Sequence, residues 1–223
     1  MTGKTQKLID VSHVVEHGMI TYKGLPAPII CDYLSREASE QIYEEGTSFH
    51  IGRIDMVANT GTYLDAPFHR FEEGKDLSEL DLSSLANLDG LVINIGPDVR
   101  EITPAHFSGA DIKGKAVLIR TDWSGHWGSD QYFEDHPCLN QAAAEYLRDQ
   151  GAVLVGIDSH NIDDTRGNSR PVHSTLLGAD IPIVEHMTHL RDLPETGFKF
   201  YAVPVKVKGM GTFPVRAFGL IGP

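Results

Sequence analysis

Three short runs of almost entirely apolar residues, many of them β-branched, limit what this chain can fold into. They are Leu91–Ile95, Ala116–Arg120 and Ala152–Ile157. Runs of this kind are typical of strands that are buried on both faces, as in a sheet with helices packed against it. The runs therefore predict an α/β protein.

Helix and strand signals occur around these runs. Asn140–Gln150 begins with a capping residue, is rich in alanine and is followed by Gly151, a common helix terminator. Thr103–Pro104 has the pattern of another helix start, and Tyr201–Val207 alternates well enough to predict a further strand. No linker rich in proline, glycine or serine interrupts the chain. We therefore expect one domain, residues 1–223, with a mixed sheet and flanking helices.

The charge and composition of the chain argue against several classes of function. It has 31 acidic and 19 basic side chains, a formal net charge of −12, so we expect no nucleic-acid or membrane-surface partner. Met1–Lys7 is polar and no apolar run could cross a bilayer, so neither a secretory signal nor a membrane span is predicted. The two cysteines, Cys31 and Cys138, favour free thiols and a cytoplasmic location.

The stretch ANTGTYLDAPFHRF, which begins at residue 58, carries several chemically active side chains. In an extended chain Asn59, Tyr63 and Asp65 share one face, and a turn at Pro67 can bring His69 back toward Asp65. On the residues alone, a structural interpretation stays open as well. In that alternative Asp65 caps a turn and His69 is a hydrogen-bonded core histidine.

This stretch resembles the signature of the cyclase-like metal-dependent hydrolases, a family that includes bacterial kynurenine formamidases and isatin hydrolases. The family motif is His-x-Gly-Thr-His-x-Asp-x-Pro-x-His, and the chain keeps Gly61, Thr62, Asp65, Pro67 and His69 at that spacing. Weaker similarities follow in the family's order along nearly the whole chain. They include Tyr22–Gly24, Gly156–Ser159, Asp163, His173–Leu177 and Ile183–Glu185.

The resemblance implies where a metal ion and an acid–base group would lie. Asp65, His173 and Glu185 match the positions at which the family holds its second metal ion, and His69 matches its general acid/base. Two carboxylates and one imidazole suit Zn²⁺ or Mn²⁺.

The chain departs from the motif at Asn59 and Tyr63, where the family has the two histidines of its first metal site. An amide oxygen and a phenol with an ordinary pKa near ~10 are poor substitutes for imidazole at neutral pH. We therefore expect one divalent ion per chain rather than two. We expect Tyr22, Asn59, Tyr63 and His160 to contact substrate, and Tyr63 could also donate a hydrogen bond to an oxyanion.

The resemblance implies a swivelling β/β/α-type fold, a homo-oligomer (dimer or tetramer) and an arylformamidase-like amidohydrolase. Such an enzyme would cleave a C–N bond in a small amide, formamide or cyclic amide with metal-activated water, and tryptophan catabolism is one pathway for it. Two alternatives stay open. The chain could be a small-molecule binding protein that has lost catalysis, or a metal-free hydrolase or lyase that uses His69 and Tyr63.

Three further residues near these positions carry expectations. Arg70 is expected to pair with a carboxylate. His186 and His189 flank Glu185, and we expect them in a short helix as packing or surface residues rather than as ligands.

Overall fold

Most strands of the protein join one mixed sheet. The computed structural model describes residues 6–222, so most of the polar segment Met1–Lys7 lies outside the described residues. The strands are β1 (Lys7–Asp10), β2 (Ile29–Leu34), β3 (Ile51–Asp55), β4 (Tyr63–Asp65), β5 (Leu88–Asn94), β6 (Glu101–Ile102), β7 (Lys115–Arg120), β8 (Cys138–Leu139), β9 (Leu154–Ile157), β10 (Ile183–Glu185), β11 (Phe198–Tyr201), β12 (Thr212–Pro214) and β13 (Phe218–Ile221). Nine of them form the main sheet in the order β1-β13-β11-β5-β7-β9-β10-β4-β12.

The three apolar runs of the sequence form the centre of this sheet. β5, β7 and β9 pair in parallel, and β10 pairs in parallel with β9. Along β7, Val117 and Ile119 contact one apolar cluster, whereas Ala116 and Leu118 contact a second cluster on the other face. The sheet is therefore covered on both faces, and the predicted single-domain α/β fold is confirmed.

The helices of the described residues are few and short. They are α1 (Arg36–Glu40), α2 (Gln141–Asp149) and α3 (Pro171–Leu177). The side chain of Asn140 accepts a hydrogen bond from the backbone N–H of Ala143, which confirms the predicted cap of α2. The helix start predicted at Thr103–Pro104 is confirmed, with Thr103 as the cap and Pro104 in the first turn, but the helix is only a 3₁₀ turn, Pro104–Phe107, and Gly109 follows at a φ of 79°. Within residues 6–222, no helix is long and apolar enough to span a membrane.

The strand predicted over Tyr201–Val207 is wrong over most of its length. β11 ends at Tyr201, the residue at which the predicted strand begins. Pro204 has no backbone N–H with which to continue a ladder of hydrogen bonds, so the chain leaves the sheet here despite its alternating pattern.

The antiparallel pair β2–β3 lies outside the main sheet and, with α1 between its strands, forms what we call the arm, residues 29–55. Both strands of the arm are exposed along nearly all of their length. Cys31 lies exposed on the arm and Cys138 is buried elsewhere; both are free, as predicted. The large apolar residues exposed on the arm are Ile29, Ile30, Tyr33, Ile42, Tyr43, Phe49, Ile51 and Ile54.

Candidate metal centre and active site

The turn predicted at Pro67 brings His69 next to Asp65. Asp65 is the last residue of β4, and the chain then enters a 3₁₀ turn, Pro67–His69. This turn places Nδ1 of His69 3.8 Å from Oδ1 of Asp65. The side chain of Asp65 is fully buried, whereas that of His69 is partly exposed. The pair therefore extends from the protein interior to the surface.

The first half of the motif is not extended, contrary to the predicted shared face. Residues 59–62 form a bend, with Gly61 at a φ of 65°, and β4 begins only at Tyr63. Asn59 nevertheless lines the same cavity as Tyr63 and His69. The bend achieves the convergence that the extended chain was expected to give.

Three predicted ligands converge beside this turn. Nε2 of His173, in α3, lies 3.7 Å from Oδ2 of Asp65 and 3.7 Å from Oε1 of Glu185, the last residue of β10. Donor atoms of Asp65, His69 and His173 also lie within 4.8 Å of one another. Oδ2 of Asp65 is buried and has no hydrogen-bond donor among the described residues. Because buried carboxylate oxygens are normally paired, these residues fit a divalent cation.

Asp163 fixes the ring of His173. Its Oδ2 lies 2.6 Å from Nδ1 of His173, and its two oxygens accept the backbone N–H groups of Val172 and His173. With Nδ1–H donating to this carboxylate, Nε2 faces Asp65 and Glu185. Burial lowers the pKa of His173, but the charge of Glu185 and the Asp163 and Asp65 carboxylates together raise it to about 10. A divalent cation held by Nε2 of His173 would therefore compete with a proton for this nitrogen.

Thr212, at the start of β12, links Asp65 to His69. Its hydroxyl donates to Oδ1 of Asp65 and lies 2.9 Å from Nδ1 of His69. Because a hydroxyl has one hydrogen, Nδ1–H of His69 must donate to Thr212, which leaves Nε2 as the free acceptor of the ring. The preceding Gly211 permits this contact, since a Cβ there would collide with the backbone of His69.

Tyr63 and Glu185 face each other on the neighbouring strands β4 and β10. The hydroxyl of Tyr63 donates to Oε2 of Glu185 at 2.7 Å and lies 3.3 Å from the hydroxyl of Tyr22. Asn161 donates from Nδ2 to the Tyr22 hydroxyl at 2.6 Å. Burial, and then the charge of Glu185, raise the pKa of Tyr63 well above its usual value, so the phenol keeps its proton. Tyr63 is thus a hydrogen-bond donor to a candidate ligand.

A cavity of about 250 Å³ opens onto these groups. Three of the four predicted substrate contacts, Tyr22, Asn59 and Tyr63, line it. The ring of His160 is buried behind Tyr22, at a centroid distance of 4.6 Å, so its position gives no support to the predicted substrate contact. The complete lining is Tyr22, Leu25, Asn59, Tyr63, His69, Arg70, Asn161, Arg170, His173 and Glu185.

The short helix predicted around Glu185 is wrong. β10 ends at Glu185, and the chain turns at His186 and again at His189, with φ values of 53° and 52°. The ring of His186 is fully buried, with Nδ1 2.8 Å from the Tyr132 hydroxyl and Nε2 3.3 Å from the Tyr63 hydroxyl. The predicted packing role of His186 is therefore correct, although the element that carries it is not a helix.

Several residues of the site have no recognised signal in the sequence. Thr212, Asn161 and Arg170 lie in separate segments, and nothing in their local pattern connects them with the motif. The expectation that Arg70 pairs with a carboxylate is wrong. Its Nε donates to the neutral hydroxyl of Ser174 at 3.0 Å.

Known proteins share both the sequence pattern and the fold. The kynurenine formamidase of Bacillus anthracis is 27% identical over 223 residues, which covers 96% of this chain and 97% of that protein. A solved potential metal-dependent hydrolase with cyclase activity has a TM-score of 0.80 at 27% identity, covering 98% of this chain and 100% of the other. Isatin hydrolase A from Labrenzia aggregata, bound to benzyl benzoate, shares the fold with a TM-score of 0.81 at 21% identity, covering 98% and 94%.

A family match covers the motif itself. The Cyclase family model matches residues 9–164, a span that includes β4 and the turn that carries His69. His173 and Glu185 lie beyond the matched span but within the share of the chain that the relatives cover. Because the matched residues make up more than half of the sequence, this chain belongs to the Cyclase family.

Proposed function

We propose that this protein is a metal-dependent hydrolase that cleaves a C–N bond in a small amide, formamide or cyclic amide. The observation that carries the proposal is the buried Oδ2 of Asp65, which accepts no hydrogen bond from residues 6–222 and lies 3.7 Å from Nε2 of His173. The similarity to a kynurenine formamidase supports a substrate of this class. A cavity of about 250 Å³ is the right scale for a small molecule.

One ion per chain, Zn²⁺ or Mn²⁺, would be held by Asp65, His173 and Glu185. A second ion would have to use Asn59 and Tyr63, which offer only neutral oxygens. Tyr63 already donates a hydrogen bond to Oε2 of Glu185, so a cation at that oxygen would have to displace the phenol. The donor set therefore favours a single ion.

The residues around this position have distinct roles in the proposed mechanism. A bound ion would polarise the amide carbonyl and lower the pKa of a water molecule, which becomes a stronger nucleophile when it loses a proton. Nε2 of His69 accepts the proton of the attacking water and delivers it to the leaving nitrogen, since Nδ1 is held by Thr212. Tyr63 holds Oε2 of Glu185 and so keeps Oε1 turned toward His173. Tyr22 and Asn59 line the cavity and contact the substrate.

Substitution of His69 and of His173 separates catalysis from metal binding. His69→Ala should keep its metal content and lose roughly 10²–10⁴-fold in kcat, because it removes the proton acceptor. His173→Ala should lose the metal and the activity together. Elemental analysis and a formanilide or isatin assay measure both properties, with His50→Ala as a control because His50 lies exposed on the arm beside Asp32.

Other outcomes would favour the alternatives. If His69→Ala is purified without metal, His69 is itself a metal ligand. Its position near Asp65 and His173 permits that role. Turnover by metal-free wild type would support a hydrolase or lyase that uses His69 and Tyr63. Amide binding without turnover would support a binding protein.

We also propose that the protein is a homo-oligomer, a dimer or a tetramer. The arm supports this proposal because its strands form a sheet of their own, separate from the main sheet, and concentrate exposed apolar side chains. Contiguous exposed apolar surface commonly marks an interface between proteins. The cytoplasmic location stays a prediction from the sequence.

A further inference from the structure

Two arginines line the catalytic cavity, and neither is paired with a carboxylate within residues 6–222. Unpaired arginines are unexpected in a chain whose 31 acidic side chains outnumber its 19 basic ones. Apart from these two, Arg70 and Arg170, unpaired arginines of the described chain occur only on the exposed arm. The arginines that form ion pairs with aspartates are Arg100, Arg120, Arg148, Arg166, Arg191 and Arg216.

Neutral groups hold both guanidinium groups in place. Nε of Arg70 donates to Oγ of Ser174 at 3.0 Å, and the same hydroxyl donates to the backbone oxygen of Arg170 at 2.8 Å. Nη1 of Arg170 donates to the carbonyl oxygens of Gly167 and Ser169, at 2.8 and 2.7 Å. None of these acceptors is charged, so both side chains are fixed in position while their charge stays uncompensated.

The candidate metal centre does not contact this positive charge. Its three carboxylates, Asp65, Asp163 and Glu185, face the ring of His173, and none of them forms an ion pair with either arginine. Arg70 follows His69 directly, and Arg170 precedes the helix that carries His173. Both arginines line the cavity that His69 and His173 also line. A guanidinium group favours a planar anion that accepts paired N–H bonds.

We propose that Arg70 and Arg170 form an anion subsite that selects amide substrates bearing a carboxylate. The inference rests on the proposed function and assigns these two residues a part in substrate specificity. The carboxylate belongs to the uncleaved substrate and lies away from the scissile C–N bond. A neutral amide of the same shape leaves both guanidinium groups without a partner.

Matched substrates test this subsite in the metal-loaded protein. Formanilide is compared with 2-, 3- and 4-formamidobenzoate, which differ from it only by the carboxylate and its ring position. We expect kcat/KM at least about 10-fold higher for one isomer than for formanilide, mainly through KM, as for hydrogen bonds to charged groups. Arg70→Gln and Arg170→Gln should each reduce this preference, their combination should abolish it, and Arg170→Lys should restore part of it.

The control variant removes the same charge elsewhere. Arg148→Gln combined with Arg216→Gln also removes two positive charges, but at exposed ion pairs outside the cavity. This control should keep the preference for the carboxylate substrate. The proposal would be overturned if wild type showed no preference for a formamidobenzoate over formanilide. It would also be overturned if the preference survived in the Arg70→Gln/Arg170→Gln protein. Loss of the preference in the control would assign it to net charge and would overturn the subsite equally.

A binding measurement distinguishes failure of the subsite from failure of the proposed hydrolase activity. Benzoate is titrated calorimetrically into wild type and into the double variant Arg70→Gln/Arg170→Gln. We expect binding to weaken about 10-fold or more in the variant. If no amide is hydrolysed, this difference alone still supports the subsite. Equal binding to both proteins, or no binding to wild type, would contradict it.

Discussion

The hydroxyl of Thr212 lies between the two residues at the centre of the motif, with a hydrogen bond to each. It donates to Oδ1 of Asp65 and accepts from Nδ1 of His69, so it orients the ring that we propose as acid and base. The hydroxyl also occupies one oxygen of Asp65, while the other oxygen accepts no hydrogen bond from the described residues. A single neutral side chain thus sets the geometry of both groups.

Thr212→Val retains the shape of this side chain and removes both hydrogen bonds. We expect kcat to fall by roughly 10–100-fold, the range typical of partners that orient catalytic and metal-binding groups. Metal content should remain that of wild type, since Nε2 of His173 and Oδ2 of Asp65 are untouched. Thr212→Ser should restore most of the activity. Full activity in Thr212→Val would show that His69 needs no such partner.

Sequence proximity determines which residues of the site could be predicted. Asp65 and His69 are four positions apart with a proline between them, so local turn chemistry was sufficient to bring them together. Thr212 lies 143 positions from His69, and His173 lies 10 positions from Asp163 across a loop and a helix start. The contacts of Thr212 and His173 therefore depend on how separate segments pack together, which no local pattern encodes.

Elements with strong local signals were predicted well, and those decided by tertiary context were not. α2 and the three central strands follow from capping, alanine content and buried apolar runs. Tyr201–Val207 has strand periodicity, but Pro204 and the order of the sheet end β11 at Tyr201. The turn at His186 depends on a left-handed backbone conformation that few non-glycine residues adopt, so no local pattern predicts it.

Segments from four parts of the chain bring together three buried histidines and the half-buried His13. The rings of His136 and His160 lie 5.1 Å apart, and those of His160 and His186 lie 5.7 Å apart. His13 stacks on Trp127 at 3.9 Å. Burial lowers the pKa of His13 to about 4 and that of His160 to about 3, and it also lowers the pKa values of His136 and His186.

This cluster predicts acid sensitivity of the fold. An unfolded histidine binds a proton below its ordinary pKa of ~6.5, whereas these folded histidines do not. Their contribution to stability is therefore present above about pH 6.5 and is lost as the pH falls toward 4. Each can contribute up to ~1.4 kcal/mol per pH unit to the slope of the unfolding free energy.

His160→Phe tests the effect in urea denaturation of metal-free protein between pH 4.5 and 7.5. Below pH 6.5 the slope of the unfolding free energy against pH should decrease by about one proton relative to wild type. His50→Phe, which replaces a partly exposed histidine on the arm, is the comparison variant. An unchanged slope in His160→Phe would show that His160 titrates normally in the folded protein.

At the scale of the whole molecule, the arm is the feature that a single chain does not explain. Its strands expose large apolar side chains on a ribbon that the main sheet does not cover. Tyr33 is 76% exposed and Ile54 is 57% exposed, values at which contact with a second chain would bury substantial apolar area. The alternating sequence of a strand does not show whether its apolar face meets its own core or another chain.

Sedimentation velocity tests the proposed assembly. Wild type should sediment as a dimer or tetramer at micromolar concentration. Ile54→Lys combined with Tyr33→Lys should shift the protein toward smaller species, because charges would replace apolar contacts. Leu82→Lys is the matched control, since Leu82 is 66% exposed and lies outside the arm. A wild-type monomer would contradict the proposal, as would an assembly that both sets of variants leave intact.

The central claim is that one divalent ion, held by Asp65, His173 and Glu185, makes this protein an amide hydrolase. The most direct test is a titration of metal-free protein with Zn²⁺ or Mn²⁺, followed by the rate of formanilide or isatin hydrolysis. We predict no activity without metal and a linear rise that ends sharply at one ion per chain. Full activity before any metal is added would contradict the claim, and so would a rise that ends only at two ions per chain.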